Sequence, residues 1–258
     1  MNFTNMENEL KIQVKSLYKA FGNNKVLNGI DLNIKNGSSL VILGGSGTGK
    51  SVLIKTIIGL IKPDSGSILI DGVETSALST KDRSQILGKY GFLFQGGALF
   101  DSLTVQENIT FFAEKLYKLT KKDLIELAEN KLTSVGLSSS TLNLYPSELS
   151  GGMQKRVSLA RAICTNPEVI FFDEPTSGLD PIMSNVINEL IIKAQSELGS
   201  TTITITHDMN SAYLIAKEVA LIHQGKIVWL GTKEEMKDSD NPYLHQFING
   251  LTVGPITF

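Results

Sequence analysis

Residues 44–51 read Gly-Gly-Ser-Gly-Thr-Gly-Lys-Ser, a fit to G-x-x-x-x-G-K-[ST], and their flanks restrict what the chain can fold into. Ser39 to Leu43 before them reads as a buried strand. Val52 to Ile61 after them carries apolar residues in a helical setting that ends before Pro63. A strand, a glycine-rich turn and a helix in that order make a phosphate-binding loop. The glycines let successive backbone N–H groups turn inward around an anion, and the helix start adds its positive dipole end. Lys50 supplies a point charge for outer phosphates, and Ser51 supplies a hydroxyl for Mg²⁺.

Composition narrows the class. The 258 residues can bury about three-quarters of the unfolded surface. Lys and Arg total 24 against 26 Asp and Glu, so no general basic footprint for nucleic acid exists. The single cysteine, Cys164, suits a reducing compartment and reads as a buried core thiol. No apolar run approaches the ~18 residues of a membrane span. Met1 to Glu9 is polar and lacks a signal-peptide core. The expectation is a protein that does not enter a membrane by itself but can sit against one.

Short alternating strands come early, at Lys11–Lys15, at Ile30–Ile34 and at Ser67–Asp71, and predict an antiparallel layer beside the phosphate-loop core. From about Leu103 to Asn166 the pattern turns helical. Thr120 with Asp123 forms a capping box, Leu124, Leu127, Ala128, Lys131, Leu132 and Val135 share one face, and Gly136 ends it. Val169–Phe172 is a continuous apolar run of the kind a fully buried parallel strand shows. Ser200–Thr206 is a second β-branched run, and Val219–Ile222 and Ile227–Leu230 flank a turn at Gln224-Gly225.

Asp173 and Glu174 follow the apolar run, at a strand's carboxyl end, where ligands collect in open parallel sheets. Asp173 suits the Mg²⁺ shell together with Ser51, and Glu174 suits a base that orients or deprotonates water. A second anion-grade helix start lies at Leu149-Ser-Gly-Gly-Met-Gln154. Ser150 is the expected N-cap, and Gly151 and Gly152 leave amides uncovered. Either the chain binds two anions, or two copies sandwich one nucleotide between unlike sites.

The order Gly44–Ser51, Gln95, Leu149–Gln154, Phe171–Glu174, Ser177–Asp180 and Thr206-His207 resembles the nucleotide-binding subunit of ATP-binding cassette (ABC) transporters. It spans about residues 10–235. The resemblance implies an α/β fold: a P-loop NTPase (RecA-like) core, an N-terminal antiparallel β subdomain and an inserted helical subdomain near 96–160, within a cassette of residues 10–240. It implies a Walker A loop, a Q-loop at Gln95, a signature motif, a Walker B strand, a D-loop at Asp180 and a switch histidine, His207. ATP with Mg²⁺ is the implied ligand. Its contacts fall to Phe21, which matches the aromatic that stacks on adenine, then to Gly44, Gly45, Ser46, Gly47, Thr48, Gly49, Lys50, Ser51 and Val52. Ser150, Gly151, Gly152 and Asp180 complete that set. Glu174, His207, Gln95 and Lys50 carry catalysis, and Ser51, Gln95 and Asp173 carry the metal. A core phenylalanine is the alternative reading of Phe21. The signature has Met153 where Gln is usual, with Gln154 following.

Within that family, Gly91–Asn108, Gly45 with Val52, and the ending Gln246–Gly250 with Gly254-Pro255 are similar to the ATPases of MCE-associated, Mla-type lipid transporters. Such systems maintain outer-membrane lipid asymmetry in Gram-negative bacteria. The implied partners are a second copy arranged head to tail, an integral membrane permease, an MCE substrate-binding protein and a small STAS-domain protein, with no nucleic acid. The implied place is the cytoplasmic face of the inner membrane. The ATPase of another importer, such as one for polar amino acids, remains open; a soluble cassette acting on ribosomes or DNA is disfavoured by the short chain and neutral charge. The tail, residues 241–258, has Leu251, Val253, Ile256 and Phe258 and no charge after Asp240. Leaving such side chains in water is costly, so the tail is expected to pack either on its own subunit or on a neighbour.

Overall fold

Alternation of apolar and polar residues after Leu10 builds a long hairpin, because it places one face of each strand in a core. Strands β1 (Leu10–Phe21) and β2 (Asn24–Lys35) pair antiparallel, with Val14 opposite Leu32 and Leu17 opposite Ile30. They run several residues beyond the predicted segments. The extension includes a bulge at Ser16, whose φ is 44° and whose amide donates to Asp31 Oδ1 at 2.8 Å. The computed structural model describes residues 10–75, 78 and 86–257. Contacts divide the chain into two units, Met1–Ser84 with Ile203–Phe258, and Gln85–Thr202.

In the first unit, β4 (Ser65–Ile70) and β5 (Val73–Glu74) extend the hairpin into a sheet of order β2-β1-β4-β5. A second layer centres on β3 (Ser39–Leu43), every residue of which is buried. Such a strand reads as a continuous apolar run because both of its faces are covered. Strand β9 (Glu218–His223) runs parallel to it, with Val41 opposite Val219, and β10 (Lys226–Thr232) closes the final hairpin on β9. Strand β8 (Thr201–Thr206), also buried throughout, carries the chain from the second unit into the first. Helix α1 (Lys50–Ile57) follows β3 directly.

The second unit holds β6 (Tyr90–Leu93) parallel to β7 (Val169–Asp173). Phe92 stacks on Phe171 with centroids 5.4 Å apart, and Tyr90 meets Phe171 edge-on at 5.7 Å. Helices α2 (Val105–Leu116) and α3 (Lys121–Ser134) each begin with a reciprocal capping box, Thr104 with Glu107 and Thr120 with Asp123. Leu124, Ala128 and Leu132 are the buried stripe of α3, and Gly136 (φ 71°) takes the left-handed turn after it. Helices α4 (Gly151–Ala162) and α5 (Pro181–Leu198) precede and follow β7. Cys164 is free and 2 % exposed, and burial pushes its thiol up to about 11.

Asn108, fully buried on α2, organises the loop before it. Its Oδ1 accepts from Phe100 N at 2.8 Å, and its Nδ2 donates to the carbonyls of Phe100, Leu103 and Thr104. Asn108→Ala should therefore take these side-chain partners from Phe100 N and Leu103 O, while Phe100 O and Thr104 O keep Leu103 N and Asn108 N, at about 1–3 kcal/mol for each group that water cannot reach. The expected outcome is a fall in the urea midpoint equivalent to at least about 2 kcal/mol. An unchanged midpoint would show the loop to be held by something else.

Candidate nucleotide site

The first unit carries the phosphate-loop motif where a strand gives way to a helix. Gly47 (φ 75°) and Gly49 (φ 104°) supply left-handed backbone that side chains resist. A Cβ on Gly49 would approach Val26 O to 2.8 Å, so that position is closed by packing, whereas a Cβ on Gly47 would meet nothing within 4 Å. Gly47 thus borders open space over which backbone N–H groups can face an anion. Lys50 is buried, and its Nζ donates to Gly44 O at 2.6 Å and to Gly45 O at 2.8 Å, tying the loop to the start of α1. Thr48 Oγ1 donates to Gly45 O at 2.9 Å. Ser51 and Val52, in the first turn of α1, are half-buried.

Phe21 ends β1 and is 50 % exposed, which excludes the core-phenylalanine reading. The strand end is pinned beneath it. Asp64 accepts from Lys19 Nζ at 2.7 Å and from Ala20 N at 2.6 Å, and the Lys19 hydrogen bond holds that carboxyl below its ordinary range. Lys19 Nζ also lies 5.4 Å from the Phe21 ring centroid. His207 is exposed just beyond β8. The next residue, Asp208, caps helix α6 (Met209–Ile215) through Asn210 N and Ser211 N.

The tail belongs to the same unit. Helix α7 (Pro242–Asn249) is capped by Asn241, whose Nδ2 donates to Val228 O at 3.0 Å. Gln246 then holds the following segment in cis. Its Nε2 donates to Leu251 O and Ile256 O, and its Oε1 accepts from Ile256 N at 2.7 Å. Between this segment and Gly45–Thr48 lies a cavity of about 530 Å³, lined on its other sides by Leu221–Gln224 and Phe247. Leu251 and Val253 remain exposed.

In the second unit the structure gathers three of the sequence-derived positions and one that carried no motif signal. Glu174 follows β7 in the left-handed region (φ 48°) and is buried, with Asp173 half-buried at the strand's end. Gln95 follows β6 and is exposed. Lys155, on α4, donates to both main chains, to Gln95 O and to Glu174 O (3.4 Å). Burial holds its ammonium below the ordinary range, and the Asp173 and Glu174 carboxylates pull it back up. Two further α4 side chains grip the same segment. Arg161 donates to Ala98 O and Gly97 O at 2.7 Å each, and Ser158 Oγ donates to Gly97 O at 3.1 Å. Lys155, Ser158 and Arg161 recur at helical spacing, but Gln154 and Arg156 lie on the same helix, so spacing alone does not single them out in the sequence.

Ser150 caps α4, accepting from Met153 N at 3.3 Å, and is exposed along with Gly151. The unusual order Met153-Gln154 has a local use, because Gln154 Nε2 donates to Pro146 O at 2.8 Å and closes the turn before the helix. A Cβ on Gly152 would meet only the flexible tip of Met183, Cε at 2.8 Å. Asp180 caps α5 by accepting from Met183 N at 2.9 Å, with Pro181 at the first helical position.

Known proteins share this arrangement. The family described as ABC transporter matches residues 27–177. A probable ribonucleotide transport ATP-binding protein of Mycobacterium leprae is 38 % identical over 245 residues, 95 % of this chain and 70 % of that protein. An intermembrane phospholipid transport system ATP-binding protein of Haemophilus influenzae is 36 % identical over 251 residues, 97 % of this chain and 95 % of that one. Among solved structures, a dimeric ATP-binding cassette in a post-hydrolysis state, bound to ADP and Pi, superposes with a TM-score of 0.80. That cassette is 31 % identical, with 86 % of this chain and 98 % of the cassette covered. The chain belongs to the ATP-binding subunits of ABC transporters, with their mixed α/β cassette fold and their ATPase activity.

Proposed function

We propose that this chain hydrolyses ATP to power phospholipid movement between an inner and an outer membrane. The observation that carries this reading is similarity to the Haemophilus protein over 97 % of this chain and 95 % of that one. Among the described residues no helix is long and apolar enough to cross a membrane, so the lipid path belongs to partner subunits. The proposed partners are a second copy, a membrane permease, an MCE substrate-binding protein and a STAS-domain protein, at the cytoplasmic face of the inner membrane. The exposed Leu251 and Val253 support a tail that touches a neighbouring subunit as well as its own.

The residues fit ATP with Mg²⁺. The open face over Gly47 admits a phosphate, and the Lys50 ammonium, 2.6–2.8 Å from two loop carbonyls, lies at the base of that face. Among the described residues no three His, Cys, Asp or Glu side chains cluster to make a metal cage. This suits Mg²⁺, which takes few carboxylates and completes its shell with phosphate and water. Ser51, Gln95 and Asp173 would hold it, and its charge would offset that of the phosphates. Phe21 offers a ring face to adenine, Glu174 orients and deprotonates the attacking water, and His207 meets the γ-phosphate. Ser150, Gly151, Gly152 and Asp180 of one copy close over Gly44–Val52 of the other.

Four outcomes test these assignments. Glu174→Gln keeps the shape and removes the base, so turnover should fall about 10²–10⁴-fold while ATP still binds. Lys50→Ala should weaken ATP binding itself, measured by titration; normal affinity would place the lysine away from the phosphates. For the dimer, a Ser46→Cys, Ser150→Cys double variant should give interchain disulfides with ATP present, the buried Cys164 staying out of the exchange. Intrachain closure would overturn the head-to-tail arrangement. Finally, the tagged chain purified from native membranes should bring down a permease, an MCE-domain protein and bound phospholipid. Recovery of a polar amino-acid-binding protein instead would favour the alternative importer.

A further inference from the structure

Lys155 occupies a position that the nucleotide assignments leave unexplained. A buried ammonium is costly unless its protons are taken up by acceptors. Lys155 directs its protons not to a carboxylate partner on the surface but to two main-chain carbonyls, those of Gln95 and Glu174. These two residues are 79 apart in sequence (174 − 95) and follow different strands, β6 and β7. The carbonyl at Glu174 belongs to a residue in left-handed backbone, a conformation a glutamate adopts only where its surroundings impose it. The carbonyl at Gln95 opens a segment whose next turns, Gly97 (φ 75°) and Ala98 (φ 46°), are left-handed as well and are gripped by Ser158 and Arg161 of the same helix.

We infer that Lys155 is a positioning residue for ATP hydrolysis, one ammonium that fixes the peptide of the catalytic glutamate and the peptide of Gln95 in a single frame carried by α4. This rests on the reading of Glu174 as the base and Gln95 as a metal and coupling residue. The Glu174 carboxylate is aimed by its own backbone, so rotating that peptide moves the base relative to water. Glu174 O also accepts from Ser177 N at 3.2 Å, so what Lys155 adds is the link to Gln95, whose main chain cannot shift without α4 following or that link breaking. Lys155 touches neither nucleotide nor water in this role, and its effect falls on turnover rather than on ATP binding.

The experiment compares ATP hydrolysis by the full-length protein against ATP concentration for wild type, Lys155→Met, Lys155→Arg and Glu174→Gln. Loss of alignment at the reacting centre is expected to lower kcat of Lys155→Met about 10- to 100-fold, with KM for ATP held within about twofold. Lys155→Arg restores donors that reach both carbonyls and should recover most of the lost turnover. Should Lys155→Met fail to fold, Lys155→Leu, which likewise has no donor, is read by the same kcat and KM criteria. Wild-type kcat in Lys155→Met beside an inactive Glu174→Gln overturns the positioning role alone. A loss that Lys155→Arg does not relieve, or one that appears equally in KM, reduces Lys155 to a packing residue and also overturns it. Full turnover by Glu174→Gln instead removes the assignment of the base, and the inference falls with it.

Discussion

Loops that follow buried parallel strands leave carbonyls with no strand partner, in surroundings water reaches poorly, and a buried polar group must be paired. Two lysines meet this need. Lys50 gives its protons to Gly44 O and Gly45 O after β3, and Lys155 gives its protons to Gln95 O after β6 and Glu174 O after β7. An ammonium suits the task because it is a compact charge with three donors on a flexible stem. The same property makes each loop responsive, since a charge bound to carbonyls can turn toward a stronger acceptor. Lys50 and Lys155 thus sit at strand ends next to the residues of the proposed phosphate chemistry.

Helix α4 differs in character at its two ends. Its start is left exposed, with Ser150 capping it and Gly151 bare, as the proposed contact with a phosphate would require. Further along, Lys155, Ser158 and Arg161 hold residues 95–98 through the backbone alone. Gripping carbonyls leaves the Gln95 side chain exposed and available, whereas gripping that side chain would have consumed it. Arg161 is pushed below its ordinary pKa by burial, yet its fork still matches two adjacent carbonyls, a geometry one lysine could not satisfy.

The tail shows how local satisfaction and exposed apolar surface coexist. Gln246 is nearly buried and uses both ends of its amide on Leu251 and Ile256, so the turn after α7 needs no partner to form. Yet Val253 stays 85 % exposed. Backbone polarity is settled within the chain, and apolar surface is left for something else.

Much of this could be read from residues in order. The phosphate loop, the capping box at Thr120, the buried runs 39–43 and 169–172 and the final hairpin each depend on local spacing, so they lie where periodicity and turn chemistry put them, whereas the helix after the loop ends at Ile57, short of Ile61. Strand lengths were less legible: β1 and β2 outrun their alternating cores because the bulge at Ser16 lets pairing resume beyond a break in pattern. The exposure of Phe21 and the cis hold of Gln246 on the tail could not be decided from sequence, since both turn on what lies opposite in space. Lys155 is the clearest case. By itself the sequence determined the motifs, because a phosphate loop needs particular residues at particular intervals. Only the tertiary structure decided that one ammonium joins Gln95 to Glu174, because those carbonyls meet it through the packing of a helix on two strand ends, which no local pattern encodes.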